Sequence, residues 1–381
     1  MSDTLTSRQR MLAAIRNEVP DRVPVAPDIS NMVPTRLTGR GYFAVYIHED
    51  PPLWQAYIDA VKIYGIDGWF TYGGVELTTA DVSATERWVV DTDEMKIKEV
   101  TIHTPAGDLV QEIAYSSRQP PFLIKKPIRD IDRDWPRFRH LLGSIVAADY
   151  RRTEAQRAAL GELGVLGGNV PTPGFHIWSE WFEGGVETLS YLLVDRPALL
   201  DEIFDLHHDR LLRELDYALM AGFDFVLTGG SGSITLGSPK LWRTYALPTL
   251  QELCERCAAA GVPTMVHSCG KQRAMVEACA RETALNCINP LEIPPMGDVT
   301  LADAKRIVAG TQLSLMGNLH TTDVMLRGTP EQVREASRKA IDDAAAGGGF
   351  ILSTGDQCGW ATPDENILAM VETAETYGRY D

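Results

Sequence analysis

Short apolar segments alternate with longer amphipathic segments along most of the chain. Apolar positions three and four residues apart predict helices, and shorter apolar runs bounded by glycine or proline predict strands. The predicted strands cover residues 23–27, 65–70, 165–167, 224–227, 264–266, 285–288, 313–316 and 350–352. The predicted helices cover residues 6–17, 53–64, 130–161, 197–220, 239–260, 301–308 and 330–345.

One segment interrupts this alternation. Residues 86–116 are rich in β-branched and aromatic side chains of alternating polarity, and the turn Pro105-Ala106-Gly107-Asp108 divides them. This pattern predicts antiparallel strands joined by a hairpin. We interpret it as a β-rich insertion of about residues 84–127 after the second strand.

Eight predicted strands separated by helical material indicate an α/β fold of the TIM (β/α)8 barrel type. The helix before the first strand is then an N-terminal extension, and the whole chain, residues 1–381, forms one domain. The alternative is a doubly wound open sheet. No glycine-rich dinucleotide fingerprint follows an early strand to support it.

Composition narrows the classes of partner. Of 381 residues, 44% are hydrophobic and 23% are charged, and the formal net charge is -16. Such an acidic chain repels phosphate backbones, so we expect no nucleic-acid partner. The first residues lack the apolar core of a signal peptide and no long apolar run follows, which predicts a cytoplasmic protein without a membrane segment. Six cysteines in a reducing compartment are expected as thiols, buried or metal-bound, rather than as disulfides.

His267 and Cys269 directly follow the predicted strand at residues 264–266. Residues i and i+2 of an extended chain point to the same side, so the imidazole and the thiol are expected to converge. Cys358 follows the last predicted strand, and the loops after barrel strands open on one face. One imidazole and two thiolates favour zinc, with a fourth position open for substrate. The alternative is a buried cysteine beside a hydrogen-bonded core histidine.

Glu292 is a candidate fourth ligand. It follows the predicted strand at residues 285–288, so its carboxylate is expected on the same face of the barrel. There it could complete a tetrahedron and yield to an incoming thiol. The alternative is a carboxylate at the rim of the site.

Other side chains at predicted strand ends suit a binding pocket, because aromatic rings cover apolar ligand faces and a few polar groups fix orientation. The predicted substrate-binding residues are Tyr72, His176, Trp178, Trp181, His320 and Trp360. The predicted catalytic residues are Glu292, Asp356 and Asn318.

Several motifs resemble those of the uroporphyrinogen decarboxylase superfamily, which also contains corrinoid-dependent methyltransferases. The motifs are Ser238-Pro239-Lys240-Leu241-Trp242, His267-Ser268-Cys269-Gly270, Asn289-Pro290-Leu291-Glu292 with Gly297-Asp298, Met316-Gly317-Asn318 and Thr362-Pro363-Asp364-Glu365-Asn366-Ile367. The resemblance implies a single TIM barrel.

The methyltransferase branch is the better match. Its zinc motif is His-x-Cys followed far downstream by Cys, and His267, Cys269 and Cys358 occupy those places. In that branch the last cysteine commonly comes directly after a Pro-Gly turn, whereas Asp356-Gln357 intervene here. True decarboxylases carry an arginine-rich segment near the start, and residues 34–42 match that segment only weakly.

The resemblance implies a zinc-dependent methyltransferase that moves a methyl group between a corrinoid (methylcobalamin) on a partner protein and a small molecule. That small molecule is a thiol or a methyl donor such as an aryl methyl ether, and the direction of transfer stays open. One alternative is a metal-free decarboxylase acting on a tetrapyrrole or another carboxylic acid. A second is a non-enzymatic corrinoid- or tetrapyrrole-binding protein. The sequence also leaves a homodimer open.

Overall fold

The computed structural model describes residues 4–70 and 74–380. Strands of the described residues fall into a central parallel sheet and two antiparallel sheets. In chain order they are β1 (Gly68–Phe70), β2 (Glu76–Thr79), β3 (Ser83–Asp91), β4 (Met95–Thr104), β5 (Gly107–Ser116), β6 (Phe122–Lys125), β7 (Ile145–Asp149), β8 (Gly164–Asn169), β9 (Phe225–Gly229), β10 (Thr264–His267), β11 (Cys287–Asn289), β12 (Ser314–Leu319) and β13 (Phe350–Thr354).

Helices cover the connections between these strands. They are α1 (Ser7–Ile15), α2 (Met32–Leu37), α3 (Gly41–Tyr46), α4 (Leu53–Tyr64), α5 (Ile131–Phe138), α6 (Arg151–Leu160), α7 (Phe175–Trp178), α8 (Val186–Asp195), α9 (Pro197–Ala221), α10 (Pro239–Tyr245), α11 (Leu247–Ala259), α12 (Arg273–Glu282), α13 (Leu301–Ile307), α14 (Pro330–Ala344) and α15 (Asp364–Thr376). Of these described helices, none is long and apolar enough to cross a membrane.

The central sheet has seven parallel strands in the order β1-β8-β9-β10-β11-β12-β13. From β8 onward, each strand lies beside the next strand of the chain, and at least one helix connects the two. This is the arrangement of a TIM-type barrel. The fold class predicted from the sequence is confirmed at this level: an α/β fold with a curled parallel sheet.

The predicted first strand, residues 23–27, is not a strand in the structure. Val25 forms a single parallel bridge with Leu352 of β13, and its carbonyl accepts the N–H of Asp67, 2.8 Å away and directly before β1. Pro24 and Pro27 have no N–H to donate, so a ladder cannot extend through them. The segment therefore connects the two edges of the seven-stranded sheet without becoming an eighth strand.

A buried ionic cluster fixes this segment. Asp67 is 0% exposed and accepts hydrogen bonds from Arg10 at 2.7 Å, from Arg22 at 2.9 Å and from the Val25 N–H at 2.9 Å. Both arginines are also buried. Removing one partner from such a cluster leaves uncompensated charge in the protein interior.

Helix α1 covers the amino ends of the central strands. Met11 and Ile15 of α1 are fully buried in one cluster with side chains of the central strands, such as Phe225 and Met265. Asn17 donates a hydrogen bond to the Thr311 carbonyl, just before β12. Because this end is filled by packing, the carboxyl ends of the strands are left for a ligand.

The prediction of a single helix over residues 130–161 is wrong. The structure has α5 and α6 with β7 between them, and β7 pairs with β2 in an antiparallel ribbon. Gly143 ends the helical turn after α5, and Ile145 and Val146 are β-branched residues that favour a strand. Strands β3 to β6 form a separate four-stranded antiparallel sheet.

Candidate metal and substrate site

The segments that follow four neighbouring strands meet at the carboxyl end of the central sheet. β10 ends at His267 and β11 ends at Asn289, and the register pairs these two residues. β12 ends at Leu319, which pairs with Thr354 at the end of β13. Side chains just beyond these four residues therefore lie together, at the end of the barrel where such folds place their chemistry.

Three of those side chains form a compact set of potential metal ligands. Cys269, Glu292 and Asp356 each offer one ligand atom, and the three atoms lie within 4.8 Å of one another. Thiolate and carboxylate are both zinc ligands, and three protein ligands are typical of a catalytic site that keeps a position for substrate. These residues, which we call the donor group, fit a divalent ion.

Neighbouring polar groups surround the donor group. The Ser231 hydroxyl and a backbone N–H in the loop after β9 lie near the Cys269 sulfur and lower its pKa. The Gly270 N–H donates to Glu292 Oε2. Gly270 has a φ of +85°, and a Cβ atom at this position would lie 2.2 Å from Thr235 Oγ1. A glycine is therefore required where the chain turns between the cysteine and the carboxylate.

The donor group concentrates negative charge in a partly buried place. Burial, and then the charge of Asp356, raise the pKa of Glu292, while His267 and His320 act in the opposite direction. Burial and Asp356 also raise the pKa of Cys269. A cation between these groups would relieve their mutual repulsion and favour their deprotonated forms.

His267, predicted as a zinc ligand, lies beside the donor group. Its Nδ1 is 2.7 Å from Asn289 Oδ1, and its Nε2 is 3.3 Å from Ser231 Oγ. Among the described residues, no set of three or more His, Cys, Asp or Glu that includes His267 has its ligand atoms within 4.8 Å of one another. It is nevertheless near enough to lower the pKa of Glu292, so it belongs to the same electrostatic environment.

Cys358, predicted as the other thiolate ligand, lies in the core. It is 0% exposed, and it too joins no compact set of potential ligands within residues 4–70 and 74–380. Burial, and then the nearby charge of Asp28, raise the pKa of Cys358 to about 12. The nearby hydroxyls of Thr354 and Thr362 act on this pKa in the opposite direction. A thiol in this environment is protonated at neutral pH.

Asp28 is a site residue that the sequence reasoning missed. Its N–H donates to Thr354 Oγ1 at 2.9 Å, and its carbonyl accepts the Cys358 N–H at 2.7 Å. Burial raises the pKa of its carboxyl group, on which the charges of His267 and Asp356 also act. The available signal was its position directly after the predicted first strand.

A cavity of about 580 Å³ opens beside the donor group. Glu292 and Asp356 line it together with Asn318 and His320, two of the predicted site residues, and of its described lining residues none is lysine or arginine. His320 Nδ1 accepts the backbone N–H groups of the second and third residues after it. The neutral ring therefore carries its proton on Nε2.

The predicted tryptophans differ in their surroundings. Trp360 is 38% exposed, and its ring lies against Tyr42 with centroids 5.0 Å apart. Trp178 is fully buried and donates its indole N–H to His207 Nδ1 at 3.1 Å, so it offers no surface to a ligand in this structure. Trp181 packs edge-on against the same histidine. Neither Trp178 nor Trp181 lines the cavity beside the donor group.

Two predicted substrate-binding residues remain. His176 of α7 is buried, its Nε2 has no hydrogen-bond partner among the described residues, and burial lowers its pKa to about 4. A Cβ atom on Gly230, in the loop after β9, would collide with its ring. His176 is therefore packed against the loop that also carries Ser231. Tyr72 lies outside the described residues.

The fold and the donor group together define a barrel protein with a polar site at its carboxyl end. Residues 97–377 match the sequence model of the uroporphyrinogen decarboxylase (URO-D) family, so the chain belongs to that family. A solved structure of a methyltransferase from Methanosarcina mazei covers 98% of this chain and 99% of its own, with a TM-score of 0.66 and 16% sequence identity. That likeness shows the fold.

Two curated relatives identify the branch of the family that the chain resembles. A methylated-thiol–coenzyme M methyltransferase of Methanosarcina mazei is 27% identical over 157 residues, 41% of this chain and 39% of the relative. The methylcobamide:CoM methyltransferase MtbA of the same organism is 28% identical over 183 residues, 48% of this chain and 49% of the relative. The chain thus matches half or less of the length of these relatives. The comparisons confirm the resemblance to the corrinoid-linked methyltransferase branch.

Proposed function

We propose that the protein is a metal-dependent methyltransferase that moves a methyl group between a corrinoid on a partner protein and a small thiol or methyl donor. The observation that carries this proposal is the donor group of Cys269, Glu292 and Asp356, whose two carboxylates line a cavity of about 580 Å³. The resemblance to methylcobamide:CoM methyltransferases supports the corrinoid. Zinc is the ion that the family resemblance implies.

The ion would be held by Cys269 and Glu292, with His267 as a proposed further ligand that exchanges its contact with Ser231 for the ion. A zinc ion bound there lowers the pKa of a thiol or hydroxyl group that binds to it. The hydrogen bond from the Gly270 N–H orients the Glu292 carboxylate.

In the thiol direction, the sulfur forms a bond to the methyl carbon while the cobalt–carbon bond breaks and leaves its electron pair on cobalt. The thiol proton leaves to solvent through the open cavity. In the donor direction, the electron pair of Co(I) forms the bond to the methyl carbon while the carbon–oxygen bond of the ether breaks, and the released oxygen takes a proton from solvent. Asn318, His320 and Trp360 remain proposed contacts for the small molecule, and Asp356 and Asn318 proposed catalytic residues.

The charge of the cavity selects among small molecules. Its lining has carboxylates at Glu292, Asp323 and Asp356 but neither lysine nor arginine among the described residues. An anionic substrate would meet repulsion in this partly desolvated place. We therefore expect neutral thiols or neutral methyl ethers to react better than thiols that carry a carboxylate. The same lack of cations weighs against a polycarboxylate tetrapyrrole.

The test uses zinc-loaded full-length protein, free methylcobalamin and either 2-mercaptoethanol or a thiol of similar size that carries a carboxylate. We expect loss of the methylcobalamin spectrum and formation of the methyl thioether by mass spectrometry, faster with the neutral thiol. Cys269→Ser should lower the rate by at least about 100-fold, as expected for loss of a direct ligand of a catalytic ion. Cys254→Ser, in the buried part of α11, should leave it unchanged.

The reverse direction is tested with reduced cobalamin and an aryl methyl ether. Transfer in neither direction, together with carbon dioxide release from uroporphyrinogen that survives chelation, would refute the methyltransferase and favour the decarboxylase. Tight corrinoid binding without turnover in any of these assays would instead favour the binding protein.

A further inference from the structure

We infer that the carboxylate of Asp356 is a ligand of the ion together with Cys269 and Glu292, and that Cys358 stays outside the coordination sphere as a core residue. This inference rests on the metal dependence in the proposed function and replaces the expected pair of thiolates by one. It gives the centre one sulfur ligand and two oxygen ligands, with the His267 imidazole as the further ligand proposed above.

The first step is the placement of the donor atoms. The Asp356 carboxylate lies within 4.8 Å of both the Cys269 sulfur and the Glu292 carboxylate, and these are three of the groups that bind zinc. Ligand atoms around one tetrahedral zinc ion lie closer together than this, by roughly 1 Å. Small rotations of side chains are therefore enough to close the set around an ion.

The second step is the path of the chain after β13. Asp356 follows Gly355, and both residues line the same cavity as Glu292, which follows β11. The Asp356 carboxylate consequently lies within 4.8 Å of the Glu292 carboxylate. Two residues further on, the Cys358 N–H donates to the Asp28 carbonyl at 2.7 Å, which turns the cysteine into the core.

The third step is the environment of the two sulfur atoms. Cys269 is partly exposed, whereas Cys358 is buried. The Cys358 thiol is packed near Thr354, Thr362 and the Asp28 carboxyl group. An ion at Cys358 would have to break this packing, whereas an ion in the donor group meets three ligands that face one another across 4.8 Å or less.

The final step concerns spacing in the sequence. Related methyltransferases commonly carry their last cysteine directly after a Pro-Gly turn, and here the residue directly after Gly355 is Asp356. The structure places that aspartate, rather than the later cysteine, in the donor group. A carboxylate oxygen is a harder ligand than a thiolate sulfur. The ratio of Co²⁺ or Mn²⁺ affinity to zinc affinity should therefore be higher here than at a site with two thiolates.

The experiment counts thiolates with Co²⁺ as the probe, without corrinoid or thiol substrate. The near-ultraviolet sulfur-to-cobalt charge-transfer band grows with the number of bound thiolates. We expect the full-length protein to show the intensity of one thiolate, Cys358→Ser to show the same intensity, and Cys269→Ser to lose the band. Asp356→Cys should double it, because a second sulfur then stands in the donor group.

A second measurement covers variants that fold poorly. Asp356→Asn keeps the size of the side chain, and we expect it to weaken Co²⁺ binding at least about tenfold, the lower range for changes around a metal ligand, without changing the unfolding midpoint of the metal-free protein. A two-thiolate band in the unmodified protein that Cys358→Ser halves would overturn the inference, as would Asp356→Asn with unchanged Co²⁺ affinity. Methyl transfer can fail while these spectra hold, so the two proposals are separable.

Discussion

The buried histidines behind the loop after β8 should make stability depend on pH. Burial lowers the pKa of His176 from 6.5 to about 4, and burial, with the charge of His176, lowers that of His207 from 6.5 to about 3. Both are therefore neutral in the folded state under conditions where an unfolded chain is protonated. Their contribution is complete above the unfolded pKa of about 6.5 and is lost as the pH falls toward the folded values.

The magnitude follows from the same pKa values. At about pH 5 an unfolded histidine is almost fully protonated while His176 and His207 remain mostly neutral, so each contributes a loss of about 2 kcal/mol relative to about pH 7.5. His207→Gln removes one titrating group and keeps an oxygen that can accept the Trp178 indole N–H, which His207 accepts at 3.1 Å. We expect this variant to lose about 2 kcal/mol less than the unmodified protein between the two pH values.

The assay is urea unfolding at the two pH values, followed by tryptophan fluorescence and circular dichroism. His48, which is exposed, supplies the control, because His48→Gln should keep the pH dependence of the unmodified protein. Equal pH dependence of the free energy of unfolding in His207→Gln and the unmodified protein would refute the reasoning.

Three further predictions follow from other parts of the structure. Iodoacetamide should modify Cys269 first in the native metal-free protein, because the other five cysteines are buried; peptide mass spectrometry with and without zinc checks both the site and its protection. Gly270→Ala should weaken Co²⁺ binding at least about tenfold and destabilise the protein by about 1–3 kcal/mol, because the position has a positive φ and the added carbon would collide with Thr235. Gly359→Ala is the control: nothing lies within 4 Å of its added carbon, so Co²⁺ affinity and stability should stay unchanged. Asp67→Asn should destabilise the protein by about 3–5 kcal/mol in urea unfolding, and the half-exposed Asp59→Asn should change stability by less than about 0.5 kcal/mol.

The main sheet could be predicted because its strands carry their own signal. Each of the seven central strands overlaps a predicted one, since buried parallel strands are short apolar runs between glycines and helices. The signal failed where pairing depends on distant residues. Ile145–Asp149 became β7 because it pairs with Glu76–Thr79, more than sixty residues away, and the local charge pattern around it favours a helix.

The sequence predicts the positions of site residues only where they lie on a strand or directly after it, because the chain there is still extended. Cys269, Glu292 and Asp356 were placed at the barrel mouth because each follows a strand, and the structure brings them together. The rule that residues i and i+2 face the same side ceases to apply once the chain bends. After β13 it bends at Gly355 and Asp356, so the sequence could not tell which of Asp356 and Cys358 faces the other loops.

Asp28 shows that closure of the barrel and the geometry of the site depend on one segment. The Ala26 N–H donates to the Leu352 carbonyl at 2.9 Å, and two residues later Asp28 binds both Thr354 and the backbone of Cys358. The segment that joins the sheet edges therefore also sets the path of the chain that carries Asp356. At its other end the same segment is held by Asp67.

Weakening the hydrogen bond between Asp67 and this segment should consequently change the metal affinity of the site. We expect Asp67→Asn, measured at a temperature where it is fully folded, to weaken Co²⁺ binding severalfold although the substituted side chain belongs to the ionic cluster before β1. Coupling between distant positions needs a continuous physical connection, and here it runs from Asp67 through Val25 to Asp28 and the loop after β13. If Asp67→Asn lowers the stability but leaves Co²⁺ affinity unchanged, the position of the loop after β13, and with it the metal site, does not depend on closure of the sheet.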